Sequence, residues 1–335
     1  MYNWEKEQGV LRNVVRPVTE EHRKKLPAYS HSKLECFTNC PMQYYLKYEQ
    51  KKYSKDTTLA LELGLICHRV YELAAHQWDE GIMRYQDLWE VMENGDSQEQ
   101  IIGLKQIKRK YFEEWFEPDS EGHSYDWKIK QFRKGLVDYF TEMDEWIPKS
   151  QEMFFEFVFN DRAIIQGYID AILINLGGDL LCQDFKTSKK LFPDNKIPTS
   201  QQFGIYCMGI LNKYGRIPVQ CDYKFILLDK TQNALTDGFA KRLIVKLNKT
   251  LDAIDKNQKT GEWKPSPSPL CAFCNYSSTN PKAKQYKNEC QYYSLWTPDN
   301  KVFGVNKIWT GVDKSGQKSD NGISNGKLNG RKLVF

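Results

Sequence analysis

The sequence predicts an α/β protein: a small mixed β-sheet flanked by helices, with an added N-terminal helical region. Two observations predict it. From Phe154 onward, short apolar runs of strand length are separated by turn residues. On both sides of these runs, apolar residues recur with helical spacing. There is no internal repeat, and the longest apolar runs are too short to cross a bilayer.

The elements follow in chain order. Residues 1–28 are polar and read as a loosely attached arm. Ser32 with Glu35 makes a capping box for a short helix, and Pro41 restarts a helical stretch holding Tyr44, Tyr45, Leu46 and Tyr48. Residues 58–80 form a strong helix with Leu59, Leu61, Leu63, Ile66, Val70, Leu73 and Ala74 as its apolar set. Further helices are expected at 85–93, 98–116 and 126–146, a helical insertion covering about 80–150. Strands are expected at Phe154–Phe159, Ile164–Ile174, Leu180–Lys186 and Val219–Leu228. Helices are expected at about 199–214 and 237–257. Residues 297–335 are rich in Gly, Asn, Lys and Ser and read as a basic tail.

Charge places little in the body of the chain. The net charge is +5, and the seven Lys/Arg against three Asp/Glu after residue 296 account for +4 of it. A nucleic-acid groove in the body must therefore be a local basic patch. Met1–Glu7 lacks the apolar core of a signal peptide, so a cytoplasmic protein is expected. There is no Walker-type phosphate loop, so no nucleotide motor is expected. Nine cysteines in such a chain argue against a disulfide framework. Cys67, Cys182, Cys207 and Cys221 lie in apolar stretches and read as core thiols.

The chemistry concentrates in one hairpin. Gln166-Gly-Tyr-Ile-Asp-Ala-Ile172 leads through Gly177-Gly178 to Gln183-Asp-Phe-Lys186. Strand alternation puts Asp184 and Lys186 on one face. Asp170 and Asp184 are equidistant from Gly177, so a symmetric hairpin sets them opposite each other. Two close carboxylates repel unless a cation lies between them, and oxygen ligation suits Mg²⁺ or Mn²⁺. Lys186 would then orient water or offset developing charge. The same residues also fit a solvated strand face with an ordinary Asp/Lys pair.

This hairpin resembles the PD-(D/E)XK nucleases, in the branch containing the RecB and AddB nuclease domains and the CRISPR-associated iron-sulfur RecB-like exonucleases. Further pieces are similar in the same order: Ser30-His-Ser-Lys-Leu34 running to Cys40-Pro-Met-Gln-Tyr44, Gly64-Leu-Ile-Cys-His68, and Gln202-Phe-Gly-Ile-Tyr206. The resemblance spans about residues 29–293, and the nuclease domain it implies runs over 29–296 with a restriction-endonuclease-like core. It implies a metal-dependent deoxyribonuclease, an exonuclease at DNA ends, with single-stranded or free-ended DNA as substrate. Asp170, Asp184 and Lys186 match the catalytic residues. His68, Asp170, Asp184 and the carbonyl of Phe185 match the Mg²⁺ or Mn²⁺ ligands. Gln202 and Tyr206 match a face that meets DNA or supports the site, and Glu156 stands for the family's upstream acid. Recombination, repair or CRISPR adaptation proteins are the partners implied, and no membrane.

Cys271-x-x-Cys274 and Cys290 supply three metal ligands near the C-terminal end. The resemblance implies Cys40 as the fourth, in a 4Fe-4S cluster joining the two ends of the domain (271–290 forming the C-terminal cysteine cluster). The fifteen residues between Cys274 and Cys290 depart from the family's usual spacing. A structural Zn²⁺, with Cys36 as a substitute ligand, is the competing reading. The alternative function is a catalytically silent DNA-binding or recombination accessory protein. The tyrosines at 44, 45, 48 and 53, interleaved with Lys47, Lys51, Lys52 and Lys55, fit either base stacking or an amphipathic helix.

Overall fold

The computed structural model describes residues 3–54, 64, 68, 71–72, 146–188, 190–193, 200–226, 228–233, 236, 238–290, 327–328 and 331–332. The helices expected at 85–93, 98–116 and, but for Trp146, 126–146, most of 58–80, and nearly all of the tail lie outside these residues. The chain divides into two compact units, residues 1–31 with 57–247 and residues 32–56 with 248–335.

The first unit is built on a seven-stranded mixed sheet. Its strands are β1 (Val15–Arg16), β2 (Ala28–Tyr29), β3 (Ile147–Phe159), β4 (Ala163–Ile174), β5 (Leu180–Lys186), β6 (Gln220–Phe225) and β7 (Lys230–Asn233). The order is β1-β3-β4-β5-β6-β7, and β2 pairs in parallel with the start of β4. β5 and β6 are parallel, and the crossover between them carries helix α5 (Gln201–Tyr214). Phe157, Phe159, Ile165, Ile169, Phe203 and Phe225 fill the core.

Residues 3–29 are not a loose arm. Helix α1 (Trp4–Arg12) buries Leu11 completely, Val15 pairs with Phe159, and Ala28 and Tyr29 pair with Ile164 and Ile165. A short helix α2 (Glu20–Lys25) lies between, with Thr19 as its cap. The buried Glu7 carboxylate accepts from Gly238 N (2.6 Å) and Ala240 N (2.8 Å) at the start of helix α6 (Phe239–Thr260). An average polar composition concealed an amphipathic helix and two strand pairings.

The strand expected from Phe154 begins at Ile147, so residues 147–150, expected within the helical insertion, are strand. Its first half is polar and carries Pro148, where the pairing register shifts, and so gives little strand signal. The strand expected at 219–228 is β6, which ends at Phe225, and the unexpected β7 pairs antiparallel with it.

The second unit contains α4 (Pro41–Tyr44) after most of α3 (His31–Asn39), then a π-helical turn at Tyr45–Glu49. Its core is aromatic. Trp263 stacks on Tyr44 (5.7 Å) and Tyr45 (5.4 Å), and Phe37 meets both Tyr44 and Trp263 edge-on. Tyr44 is fully buried, so it is no platform for bases. The ammonium groups of Lys33 and Lys47 lie over the Tyr48 ring.

Candidate active site and cysteine cavity

Strands β4 and β5 pair from Ile174↔Leu180 as far as Ala171↔Gln183 and then part. The next step would set Asp170 opposite Asp184. There the Asp170 Oδ2 accepts from Phe185 N at 2.8 Å, in place of a ladder bond. The carboxylate thus enters the fork between the strands.

Gly64, His68 and Tyr71 are helical and spaced four and three apart, so they share a face. That face meets β5: Tyr71 and His68 contact the Phe185 ring at 4.5 and 6.0 Å. A Cβ on Gly64 would lie 3.8 Å from Thr187 Oγ1. His68 Nδ1 is 3.4 Å from Glu152 Oε1 and 3.5 Å from Asp170 Oδ1. The ligand atoms of His68, Glu152 and Asp170 all lie within 4.8 Å of one another.

Helix α5 fixes the other half of the fork. Ser200 caps its start, accepting from Phe203 N, and Gly215 ends it in the left-handed region at φ 74°. Gln202 and Tyr206, one turn apart, both reach Asp184 Oδ1, at 2.6 Å from Gln202 Nε2 and 3.3 Å from Tyr206 Oη. Gln202 also donates to Tyr206 Oη at 2.9 Å. Lys186 Nζ pairs with Asp184 Oδ2 and donates to Gln202 Oε1 at 3.4 Å.

The electrostatics fit a cation. Burial and the charge of Asp184 push the Asp170 carboxyl up to about 8, against the opposing pull of His68. Burial disfavours a charged His68, yet its hydrogen bond to Glu152 and the charges of Asp170 and Asp184 raise it to about 9. Burial, then Asp184, raise Tyr206 well above a normal phenol, so it remains a donor. A buried carboxylate kept protonated beside other acids is relieved when a divalent cation binds.

Every hairpin and helix residue singled out in the sequence lies at this fork: His68, Asp170, Asp184, Phe185, Lys186, Gln202 and Tyr206. Glu156 does not. Its carboxylate is held by Arg23, and Glu152 takes the place at the cluster. Glu152 and Glu156, four apart, have the same strand parity, so alternation does not choose between them. The left-handed backbone at Glu152 (φ 43°) is what sets it apart, and no residue pattern announces it.

In the second unit, Cys40, Cys271, Cys274 and Cys290 line one cavity of about 30 Å³. Cys36 does not line it, though it lies close enough for its charge to reach Cys274. Cys40 Sγ accepts from Ser266 N at 3.4 Å and Cys271 Sγ from Ser268 N at 3.5 Å. The Tyr276 N–H points at Cys274. Burial raises Cys274 to about 11, with the neighbouring Cys40 and Cys271 adding to it. Backbone N–H donors on sulfur are what thiolate ligands require. The insertion Asn275–Glu289 is anchored: Tyr276 Oη donates to the Lys52 carbonyl, and Glu289 pairs with Lys52 Nζ.

A seven-stranded mixed sheet flanked by helices, with acids at a strand fork, defines the restriction-endonuclease-like class. Within that class the chain belongs to the PD-(D/E)XK nuclease superfamily, whose family model matches residues 28–279. The match spans the whole fork and three of the four cavity cysteines, stopping short of Cys290. A search of curated proteins returned no significant match. A solved structure titled "Crystal structure of SSO0001" is similar over 84% of this chain and 95% of that one, at 14% identity and a TM-score of 0.34. So loose a superposition carries no argument. Among the described residues, no helix is long and apolar enough to cross a membrane.

Proposed function

We propose that this chain is a Mg²⁺- or Mn²⁺-dependent nuclease that hydrolyses DNA phosphodiester bonds at DNA ends, and that its second unit holds a structural 4Fe-4S cluster. The observation that carries the first part is the fork: a buried Asp170 held above its ordinary pKa beside Asp184, His68 and Glu152.

His68, Glu152, Asp170 and Asp184, with the carbonyl of Phe185, would hold the ion. When bound, such an ion supplies Lewis-acid stabilisation of phosphoryl charge and a more acidic water. The chain's own groups do the rest. Gln202 and Tyr206 lock Asp184 in one rotamer through Oδ1. Asp184 and Gln202 in turn hold the Lys186 ammonium at the mouth of the fork. From there Nζ–H donates to the attacking water or to a phosphate oxygen as charge builds on it.

The test is digestion of end-labelled DNA with Mg²⁺, Mn²⁺ or EDTA. Cleavage with either ion, abolished by EDTA and by Lys186→Ala, is expected. Undiminished cutting in EDTA would overturn the reading. The resemblance to RecB-like exonucleases supports action at ends and work beside recombination or CRISPR adaptation proteins in the cytoplasm.

Four thiols and three backbone donors surround one cavity, a set that suits either iron-sulfur or zinc. The spacing favours iron-sulfur. Zinc at about 2.3 Å from each thiolate would draw the sulfurs to roughly 3.8 Å of one another. Yet among the described residues the trio gathered within 4.8 Å is His68, Glu152 and Asp170, and no trio of these cysteines. Anaerobically purified protein should be brown and lose its colour in Cys271→Ser. Colourless protein with one equivalent of zinc would contradict the cluster.

A further inference from the structure

Phe154 and Tyr168 are 45% and 58% exposed, on strands whose other large side chains are mostly buried. They are register partners, Phe154 on β3 and Tyr168 on β4, with ring centroids 5.4 Å apart at 58°. They therefore form one patch, which is less common than a lone exposed ring.

Their position singles them out. The ladder runs Phe154↔Tyr168, then Met153↔Ile169, and resumes at Gln151↔Ala171, so Glu152 and Asp170 fall between these last two rungs. The aromatic pair thus lies two rungs, about 7 Å, from the two acids. This stretch of β4 lies between its pairing with β2, which ends at Ile165, and its pairing with β5, which begins at Ala171. Among the described residues, no strand covers that edge. A substrate strand with its phosphate at the acids can bring a base onto the rings.

We propose that Phe154 and Tyr168 form a stacking platform for one unpaired base of the substrate, a nucleotide next to the phosphate being cut. The proposal rests on the nuclease reading above and adds the residues that would take an unpaired base of the substrate. A base inside a duplex has both faces covered by its neighbours and cannot stack on a protein ring without leaving the helix. The platform therefore selects single-stranded ends, and it is indifferent to sequence because every base has a π-face.

The experiment compares wild type, Tyr168→Phe, and the double variant Phe154→Ala/Tyr168→Ala, with thermal melting as a control for folding. Binding of a labelled single-stranded oligonucleotide is read by anisotropy in EDTA, and cleavage is read with Mn²⁺. The double variant should weaken binding and raise KM about tenfold or more, with kcat within about twofold of wild type. Tyr168→Phe should match wild type, since it keeps the ring. An abasic site moved along the strand should weaken wild-type binding at one position and leave the double variant indifferent. Unchanged binding in the double variant, or a fall in kcat at constant KM, would overturn the platform. Failure of the nuclease reading is separate: wild type would cut nothing with Mn²⁺, while the anisotropy comparison would still judge the platform.

Discussion

At the scale of single residues, proton release governs the fork. Asp170 and His68 are both held above their ordinary values, at about 8 and about 9. Each must lose its proton to bind a cation. Mn²⁺ affinity should therefore be weak near pH 6 and rise through pH 8 to 9, with protons released on binding, as calorimetry in buffers of different ionisation enthalpy would show. A pH-independent affinity would contradict this. The same shifts fix the sign for the metal-free protein. Both groups bind protons more tightly folded than unfolded. Their stabilising contribution is full below the unfolded values, and it is lost as pH rises through 8 for Asp170 and 9 for His68. Melting of the metal-free protein between pH 7 and 9.5 should show that decline, and added Mn²⁺ should reverse it. Glu152→Gln removes the hydrogen-bonding partner that raises His68 most, so the histidine should titrate lower by NMR. Lys186→Ala should lower kcat by about 10²–10³-fold in a protein that still folds.

At the scale of elements, helix α5 is where packing and chemistry meet. A Cβ at Gly209 would lie 2.6 Å from the Phe155 ring of β3, which cannot swing away as a flexible tip can. Gly209→Ala should therefore destabilise by about 1–3 kcal/mol in urea melts, despite alanine's better helix propensity. Helix α6 depends on Glu7 in the same way. Glu7→Ala strands two N–H groups at its start and should cost about 2–3 kcal/mol. The positions of β4, β5, β6, α5 and α6 were legible because their apolar periodicity is strong, whereas the polar, exposed β7 was not. The fork was legible because Asp170 and Asp184 are equidistant from Gly177 and because Lys186 and Gln202-x-x-x-Tyr206 sit at fixed spacings. Glu152 was not, since a positive φ inside a strand leaves no mark on a Glu. Nor were β1 and β2, each two residues long, whose pairing partners lie far along the chain.

At the scale of the whole molecule, the two units divide the chemistry: one carries the acidic fork and the other the cysteine cavity. The central claim is that the fork binds the ion on which cleavage depends. The most direct measurement is Mn²⁺ titration followed by electron paramagnetic resonance, run beside cleavage of end-labelled DNA, for wild type and Asp170→Asn. Wild type should bind Mn²⁺ and cut, and Asp170→Asn should lose both while still folding. An Asp170→Asn protein that binds Mn²⁺ and cuts as wild type does would contradict the account.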